Sequence, residues 1–142
     1  MLNKILKTKK IILFDGSCAL CNKFIVFVAK NDTKDCFRFM SLQDKRTPSI
    51  INLNTTHSQH FNSIVLIDKN NIKSKSNAIL SILIMMPFPY NLSIIIYIIP
   101  KIIRDAVYRT IAKNRYKTFG KTDYCSIINH KKNSKYIRGK MI

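Results

Sequence analysis

Acidic residues are scarce in this chain of 142 residues, which has 7 Asp and Glu against 25 Lys and Arg and a formal net charge of +18. This shortage of negative charge favours a polyanionic partner, either a nucleic acid or an anionic membrane surface. The chain is also rich in Ile, Asn and Lys, a composition consistent with A/T-rich coding bias. The charge therefore indicates surface behaviour and does not by itself define a function.

Cysteine is also scarce, with four in the whole chain, and tryptophan is absent. Four thiols at this length are too few for a small scaffold held together by disulfides. A hydrophobic content of 46% and a charged content of 23% are ordinary globular values, which excludes a disordered chain or a fibrous repeat. The length suits one domain. We predict a domain over residues 9–120, between a basic N-terminal segment (1–8) and a basic C-terminal tail (121–142).

Long uninterrupted hydrophobic runs are missing. The first apolar run, Ile11 to Phe14, is shorter than the about 7–15 residues of a signal-peptide core, so we expect a cytoplasmic protein. The stretch from Ala78 to Pro100 carries no charge and approaches the ~20 residues that span a bilayer. Pro87, Pro89 and Asn91 interrupt it, so we expect two buried helices joined at a proline-containing turn and no membrane insertion.

The periodicity of the first forty residues predicts a βαβ unit. Ile11 to Phe14 forms a continuous apolar run typical of a strand buried on both faces. Leu20, Phe24 and Phe27 recur at the spacing of an amphipathic helix. Residues Cys36 to Met40 alternate aromatic and polar side chains, which predicts a second strand parallel to the first.

The rest of the chain predicts a hairpin and further helices. The predicted elements are a short helix (Ser49–Asn54), two hairpin strands (Ile64–Ile67 and Ile72–Ser74) and helices at Ser76–Met86, Leu92–Ile99 and from Pro100 to Gly120, the last with Ile103, Val107 and Ile111 on its inner face. A βαβ half followed by a ββα half is the thioredoxin layout. The expected fold is therefore α/β and thioredoxin-like, a small mixed β-sheet flanked by helices with additional C-terminal helices.

Cys18 and Cys21 lie one helical turn apart where the first helix begins, close enough for a disulfide. The unpaired N–H groups and the positive dipole end of a helix N-terminus stabilise a thiolate, the attacking species in disulfide exchange. We expect Cys18, nearer the helix end, to be the nucleophile. Cys21, deeper and less exposed, would then attack the Cys18 sulfur and release the reduced substrate.

Several blocks of this sequence resemble the DCC-type thiol-disulfide oxidoreductases, a family named for the pattern D-x-x-C-x-x-C. The blocks are Phe14–Asn22, Arg38–Gln43, Asn62–Leu66, Ser74–Ala78 and Ile99–Gly120, so the resemblance covers roughly residues 9–127. It implies a thioredoxin-like fold and protein-disulfide reductase or oxidoreductase activity, without a cofactor beyond the redox-active Cys18–Cys21 disulfide. The sequence leaves open whether the pair reduces or oxidises its substrates. The implied partners are a protein or small-molecule disulfide substrate and an unidentified reductant.

The resemblance adds Asp15 as the motif aspartate. Its carboxylate either relays a proton to or from Cys21 or shapes the turn with Gly16, and we expect the turn role. Where thioredoxins carry a cis-proline before the third strand, this chain has Asn62 and Ser63. The absence of Trp before Cys18 and of Pro between the cysteines means that thioredoxin's redox potential does not transfer to this chain.

Two alternatives remain open. Cys18 and Cys21 would form half of a zinc site if two further ligands came from the remaining cysteines and histidines: Cys36, Cys125, His57, His60 and His130. A chain this basic is also a candidate nucleic-acid-binding module. We expect neither, because no second C-x-x-C exists and no basic-aromatic RNA motif or clear recognition helix accompanies the basic tail. We expect Cys36 to be a small core residue. Arg115, at the exposed edge of a helix, is either a solvated charge or part of a structural salt bridge, and the sequence leaves its role open.

Overall fold

The computed structural model describes residues 7–54, 63–69 and 71–121. Within these ranges the elements follow one another as predicted, with boundaries shifted by one or two residues. They are β1 (Lys10–Phe14), α1 (Ala19–Asn31), β2 (Phe37–Ser41), α2 (Thr47–Asn54), β3 (Val65–Asp68), β4 (Asn71–Ser74), α3 (Lys75–Ile84), the 3₁₀ helix η1 (Tyr90–Ile98) and α4 (Lys101–Phe119).

The four strands form one mixed sheet in the order β2-β1-β3-β4. β1 pairs in parallel with β2 and antiparallel with β3, so that Leu13 lies between Met40 and Val65. β3 and β4 form the predicted hairpin, and α1 is the crossover between the two parallel strands. This arrangement confirms the α/β, thioredoxin-like fold, with additional C-terminal helices.

Both faces of the sheet are covered, because side chains that alternate along each strand enter two separate cores. The larger core contains Ile12, Phe39 and Leu66 and is closed by α1 and α3. The smaller core, on the opposite face, contains Leu13 and Met40 and is closed by α2. The carboxyl end of β1 and the start of α1 meet at one edge of the larger core, where the cysteine pair lies.

The prediction of two buried helices between Ala78 and Pro100 is only half correct. α3 packs on the sheet, but the second segment is the 3₁₀ helix η1, none of whose residues is buried. Helices α1, α3 and α2 already cover the two faces of the sheet, and η1 packs against the outside of α3. In the ranges described, no helix combines the length and the apolar character needed to cross a bilayer.

The inner face predicted for α4 is also wrong. Ile103, Val107 and Ile111 are each about half exposed, at 53%, 55% and 49%. The side of α4 that turns inward carries Arg115 instead, the one residue of this helix that is buried. The predicted domain limits at 8/9 and 120/121 stay predictions, because residues 1–6 and 122–142 lie outside the described ranges.

Candidate active site

Cys18 is the N-cap of α1, in extended backbone conformation, and its Sγ accepts the backbone N–H of Cys21 at 3.3 Å. An N-cap side chain occupies the place where the unpaired N–H groups and the positive end of the helix dipole are concentrated. A negative charge on this sulfur is stabilised by the first turn of α1. The geometry therefore gives Cys18 the position expected for a nucleophilic thiolate.

Cys21 lies one turn further along α1 and behaves differently. Burial raises the pKa of the Cys21 thiol, and its hydrogen bond and electrostatic interaction with Cys18 raise the pKa further. The charge of Arg115 acts in the opposite sense. A negative charge on the Cys18 sulfur would therefore favour the protonated form of Cys21.

The exposure of the two thiols differs from the prediction. Cys18 is 0% exposed and Cys21 is 5% exposed, so Cys18 is not the more accessible of the two. The end of the last helix lies against Cys18: Lys121 pairs with Cys18 in an antiparallel bridge, and the Ala19 N–H donates to the Gly120 carbonyl at 3.4 Å. We call this contact the Gly120–Lys121 cover.

Gly120 offers a direct test of this cover. Its φ is +78°, a conformation that L side chains rarely adopt, while an added Cβ would meet no atom within 4 Å. We expect Gly120→Ala to lower the free energy of unfolding by about 1–3 kcal/mol, entirely through backbone strain. Native-state alkylation of Cys18 should become faster, as measured by mass spectrometry after iodoacetamide treatment.

Thr118→Ala, in the last turn of the same helix, is the matched control for Gly120→Ala and is expected to leave the alkylation rate unchanged. If Gly120→Ala destabilises the protein but Cys18 alkylates no faster than in the control, the Gly120–Lys121 cover does not limit access to the thiol.

Asp15 precedes the cysteines and is buried, with 5% exposure. Its Oδ1 accepts hydrogen bonds from the Ser17 backbone N–H at 3.0 Å, the Ser17 hydroxyl at 2.7 Å and the Gln43 amide Nε2 at 2.7 Å. The Gln43 Oε1 in turn accepts the Gly16 N–H at 3.0 Å. These bonds form the turn that the sequence analysis expected Asp15 to shape, and they fix the approach of the chain to Cys18.

The second oxygen of Asp15 binds α4. Oδ2 accepts from Arg115 Nη2 at 3.0 Å and from the Tyr116 hydroxyl. Arg115 is 7% exposed, so it does not lie at an exposed helix edge, and of the two roles considered for it the structure shows the salt bridge. The one sequence signal for this contact was the family-like ending Asn114–Gly120, which did not show what Arg115 binds.

Hydrogen bonds and neighbouring charges shift the pKa values of Asp15 and Arg115. Burial raises the pKa of Asp15, but hydrogen bonds from Tyr116, Ser17 and Gln43 outweigh burial and hold the pKa below its ordinary value. Burial lowers the pKa of Arg115, and the Tyr116 hydrogen bond together with the electrostatic interaction with the nearby cysteines more than compensates. Arg115 therefore stays cationic between a carboxylate and the cysteine pair. Its charge lowers the pKa of the Cys21 thiol.

The segment before β3 faces the same region. The Ile64 N–H donates to the Tyr108 hydroxyl at 3.3 Å, and burial raises the pKa of Tyr108. Ser63 also hydrogen-bonds Tyr108, and Cys21 is close enough to influence the Tyr108 pKa. The position held by a cis-proline in thioredoxins is thus tied to α4 in this chain. Asn62 lies outside the described residues.

Of the further zinc ligands considered in the sequence, the structure describes only Cys36. Cys36 precedes β2 and is half-buried instead of filling the core, and its sulfur contacts the Lys34 carbonyl. Across residues 7–54, 63–69 and 71–121, no group of three His, Cys, Asp or Glu side chains is placed to hold a metal ion. The other proposed zinc ligands, namely Cys125, His57, His60 and His130, lie outside these ranges, so the zinc alternative is not tested.

Comparison with known proteins identifies this arrangement. The profile of the DCC1-like thiol-disulfide oxidoreductases matches residues 12–121, from β1 to the residue that pairs with Cys18. The chain belongs to this family. The DCC1-like match therefore includes Asp15, both cysteines and the Arg115–Tyr116 pair, and it confirms the resemblance seen in the sequence.

Two relatives agree with the family assignment. The chain is 36% identical to YuxK of Bacillus subtilis, named an uncharacterized protein, over 118 residues that cover 83% of this chain and 86% of the relative. It is 34% identical to a chloroplastic DCC family protein of Arabidopsis thaliana over 121 residues, covering 84% and 70%. No solved structure gives a significant match.

Proposed function

We propose that this DCC1-like protein reduces protein disulfides with Cys18 as the attacking thiolate and Cys21 as the resolving thiol. The observation that carries the proposal is the bond from the Cys21 N–H to the Cys18 sulfur at the start of α1. Family membership supports thiol-disulfide chemistry in general. The assignment of the two roles rests on the geometry and charges of the site.

In the first step the Cys18 thiolate attacks one sulfur of the substrate disulfide. An S–S bond forms between Cys18 and the substrate, the substrate S–S bond breaks, and the departing substrate thiolate takes a proton from solvent. The negative charge leaves Cys18 in this step. One of the interactions that raise the pKa of Cys21 is thereby removed, which prepares Cys21 for ionisation.

In the second step Cys21 attacks the Cys18 sulfur, and the proton that it loses balances the one taken up by the departing substrate thiolate. The Cys18–Cys21 disulfide forms, the mixed disulfide breaks, and the second substrate thiol is released, so two electrons pass from the dithiol to the substrate. Arg115 stabilises the charge on Cys21, because its cation lowers the pKa of that thiol. An external dithiol or glutathione-type thiol then returns two electrons and two protons to the pair.

The reducing direction, and with it a reducing compartment such as the cytoplasm, is part of the proposal. Family membership supports thiol-disulfide chemistry in either direction. A dithiol becomes a strong oxidant when its reduced form is stabilised, typically as a thiolate, so the reduction potential of the Cys18–Cys21 pair decides the direction.

A redox titration tests the proposal. The protein is equilibrated in a dithiothreitol series, quenched by alkylation and analysed by mass spectrometry. We expect a Cys18–Cys21 link with a midpoint near or below about −250 mV, together with insulin reduction that Cys36→Ser retains. A midpoint above about −180 mV would reverse the direction. If the purified protein instead holds stoichiometric zinc and forms no Cys18–Cys21 disulfide, the pair is a zinc site and the proposed redox function is wrong.

A further inference from the structure

An exposed apolar surface covers η1 and the start of α4. We call it the η1–α4 surface, and it is formed by Leu92, Ile94, Ile95, Ile98, Ile102 and Ile103. Ile98 is 82% exposed and Ile102 is 80% exposed. Isolated apolar side chains on a protein surface are ordinary, but a contiguous patch marks a site of interaction with another molecule.

A groove continues this surface towards α3. It encloses about 400 Å³ between α3, η1 and α4, and Ile99, Ile103 and Val107 contribute to its wall. The apolar region therefore consists of a groove as well as an exposed surface. Apolar chains entering the groove would leave water for a cavity lined almost wholly by hydrocarbon.

Positive charge lies beside the apolar residues. Arg109, Lys113 and Lys117 are exposed and spaced four residues apart, so they form a stripe along α4 that begins two turns after Ile102 on the same side of the helix. From residue 69 to residue 121 the sequence has a single acidic residue, Asp105. Its carboxylate contacts Ser76 and Lys101. The η1–α4 surface is thus apolar and cationic together.

We propose that the η1–α4 surface docks on an anionic membrane surface, with the isoleucines in the boundary between headgroups and acyl chains and the basic stripe against lipid phosphates. A helix with adjoining apolar and Lys/Arg-rich faces lies in the membrane interface in this way. Such a helix lies on a membrane without crossing it. The docking mode is therefore compatible with helices too short or too polar to span a bilayer.

Other occupants fit less well. A second copy of the chain meeting this surface through a twofold axis would bring two basic stripes together, and the resulting repulsion opposes association. A nucleic acid would engage the basic stripe through its phosphates, but isoleucine side chains provide no stacking platform for bases. An acidic lipid surface complements both the charge and the hydrocarbon.

Vesicle co-sedimentation of the full chain tests the docking. We expect binding to phosphatidylcholine vesicles containing phosphatidylserine and at least tenfold weaker binding to pure phosphatidylcholine. Ile98→Ser with Ile102→Ser, which leaves the net charge unchanged, should weaken binding about tenfold or more. The triple variant Arg109→Glu, Lys113→Glu and Lys117→Glu should weaken it at least as much.

A charge-matched control separates docking from general attraction between a basic protein and an acidic lipid. It replaces three basic residues on or just after α1: Lys23→Glu, Lys30→Glu and Lys34→Glu. We expect this variant to bind nearly as well as the parent chain. The proposal is overturned if the control loses as much binding as the α4 triple variant, if the serine pair binds normally, or if the parent chain dimerises through this surface and ignores the vesicles.

Discussion

Replacing Cys18 with serine is expected to slow attack on a disulfide substrate by at least about 100-fold, to the uncatalysed rate. A serine hydroxyl at the N-cap keeps the hydrogen bond to the Cys21 N–H but supplies no thiolate. Cys21 is a poor substitute, since burial raises the pKa of its thiol. The measurement is the initial rate of insulin reduction by the pre-reduced protein.

Replacing Cys21 with serine has a different expected outcome. Cys18 still attacks, but no neighbouring thiol resolves the product, so a mixed disulfide accumulates and appears as a mass increase equal to the bound substrate chain. Cys36→Ser is the control and should neither slow attack nor trap substrate. Trapping by Cys18→Ser in place of Cys21→Ser would reverse the roles, an outcome that the complete burial of Cys18 makes worth testing.

The second large effect concerns the ion pair between Asp15 and Arg115. Arg115→Met is expected to lower the free energy of unfolding by about 3–5 kcal/mol, because it leaves the Asp15 carboxylate buried without its cation. Asp15→Asn combined with Arg115→Met should recover part of that loss, since both charges are then absent. Urea unfolding at pH 7 measures the difference. Lys113→Met, an exposed position on the same helix, should change stability by less than about 0.5 kcal/mol.

The same pair predicts a dependence on pH. The folded-state pKa of Asp15 lies below the ordinary value of 3.8, so its ionised form contributes stability above that pH. The contribution disappears as the pH falls through the lower, folded-state pKa. We expect unfolding midpoints of the parent chain to fall more steeply below about pH 4 than those of Asp15→Asn. Parallel profiles in this range would show that Asp15 is not held as a carboxylate.

Two substitutions of Arg115 distinguish a structural role of this residue from a role in the thiol chemistry. Arg115→Lys keeps a positive charge beside the thiols while losing the planar guanidinium that binds Asp15. If the charge matters for resolution, Arg115→Lys should retain more of the second step than Arg115→Met when both are compared at equal folded fraction. Equal rates for the two variants would confine Arg115 to holding Asp15 in place.

Local periodicity was enough to predict most of the fold. The continuous apolar run of β1 and the helical spacing of α1 are properties of neighbouring residues, so their boundaries shifted by only a residue. The exposure of η1 could not be predicted in the same way. Its composition is that of a buried segment, and only the finished sheet shows that both faces are already occupied.

The site was predictable only in part for the same reason. Cys18 and Cys21 are neighbours in sequence, and their relation to the helix N-terminus follows from local pattern. The contact between Asp15 and Arg115 joins residues 100 positions apart, and no periodicity encodes such a pairing. On α4, Ile103, Val107 and Ile111 do not mark the inward side, which instead carries Arg115 in contact with Asp15.

Because Asp15 and Arg115 are far apart in the sequence, the ribosome adds Arg115 well after Asp15 and the two cysteines. At roughly 5–20 residues per second, the ribosome extends the chain for about 5–20 s after residue 15 before residue 115 is added. Through that interval Cys18 has neither its cationic neighbour nor the Gly120–Lys121 cover. In the nascent chain the Cys18 thiol is therefore most exposed to oxidants and to incorrect disulfide pairing before α4 is synthesised. A chain truncated before α4 carries the cysteine pair without the residues that surround it in the folded protein.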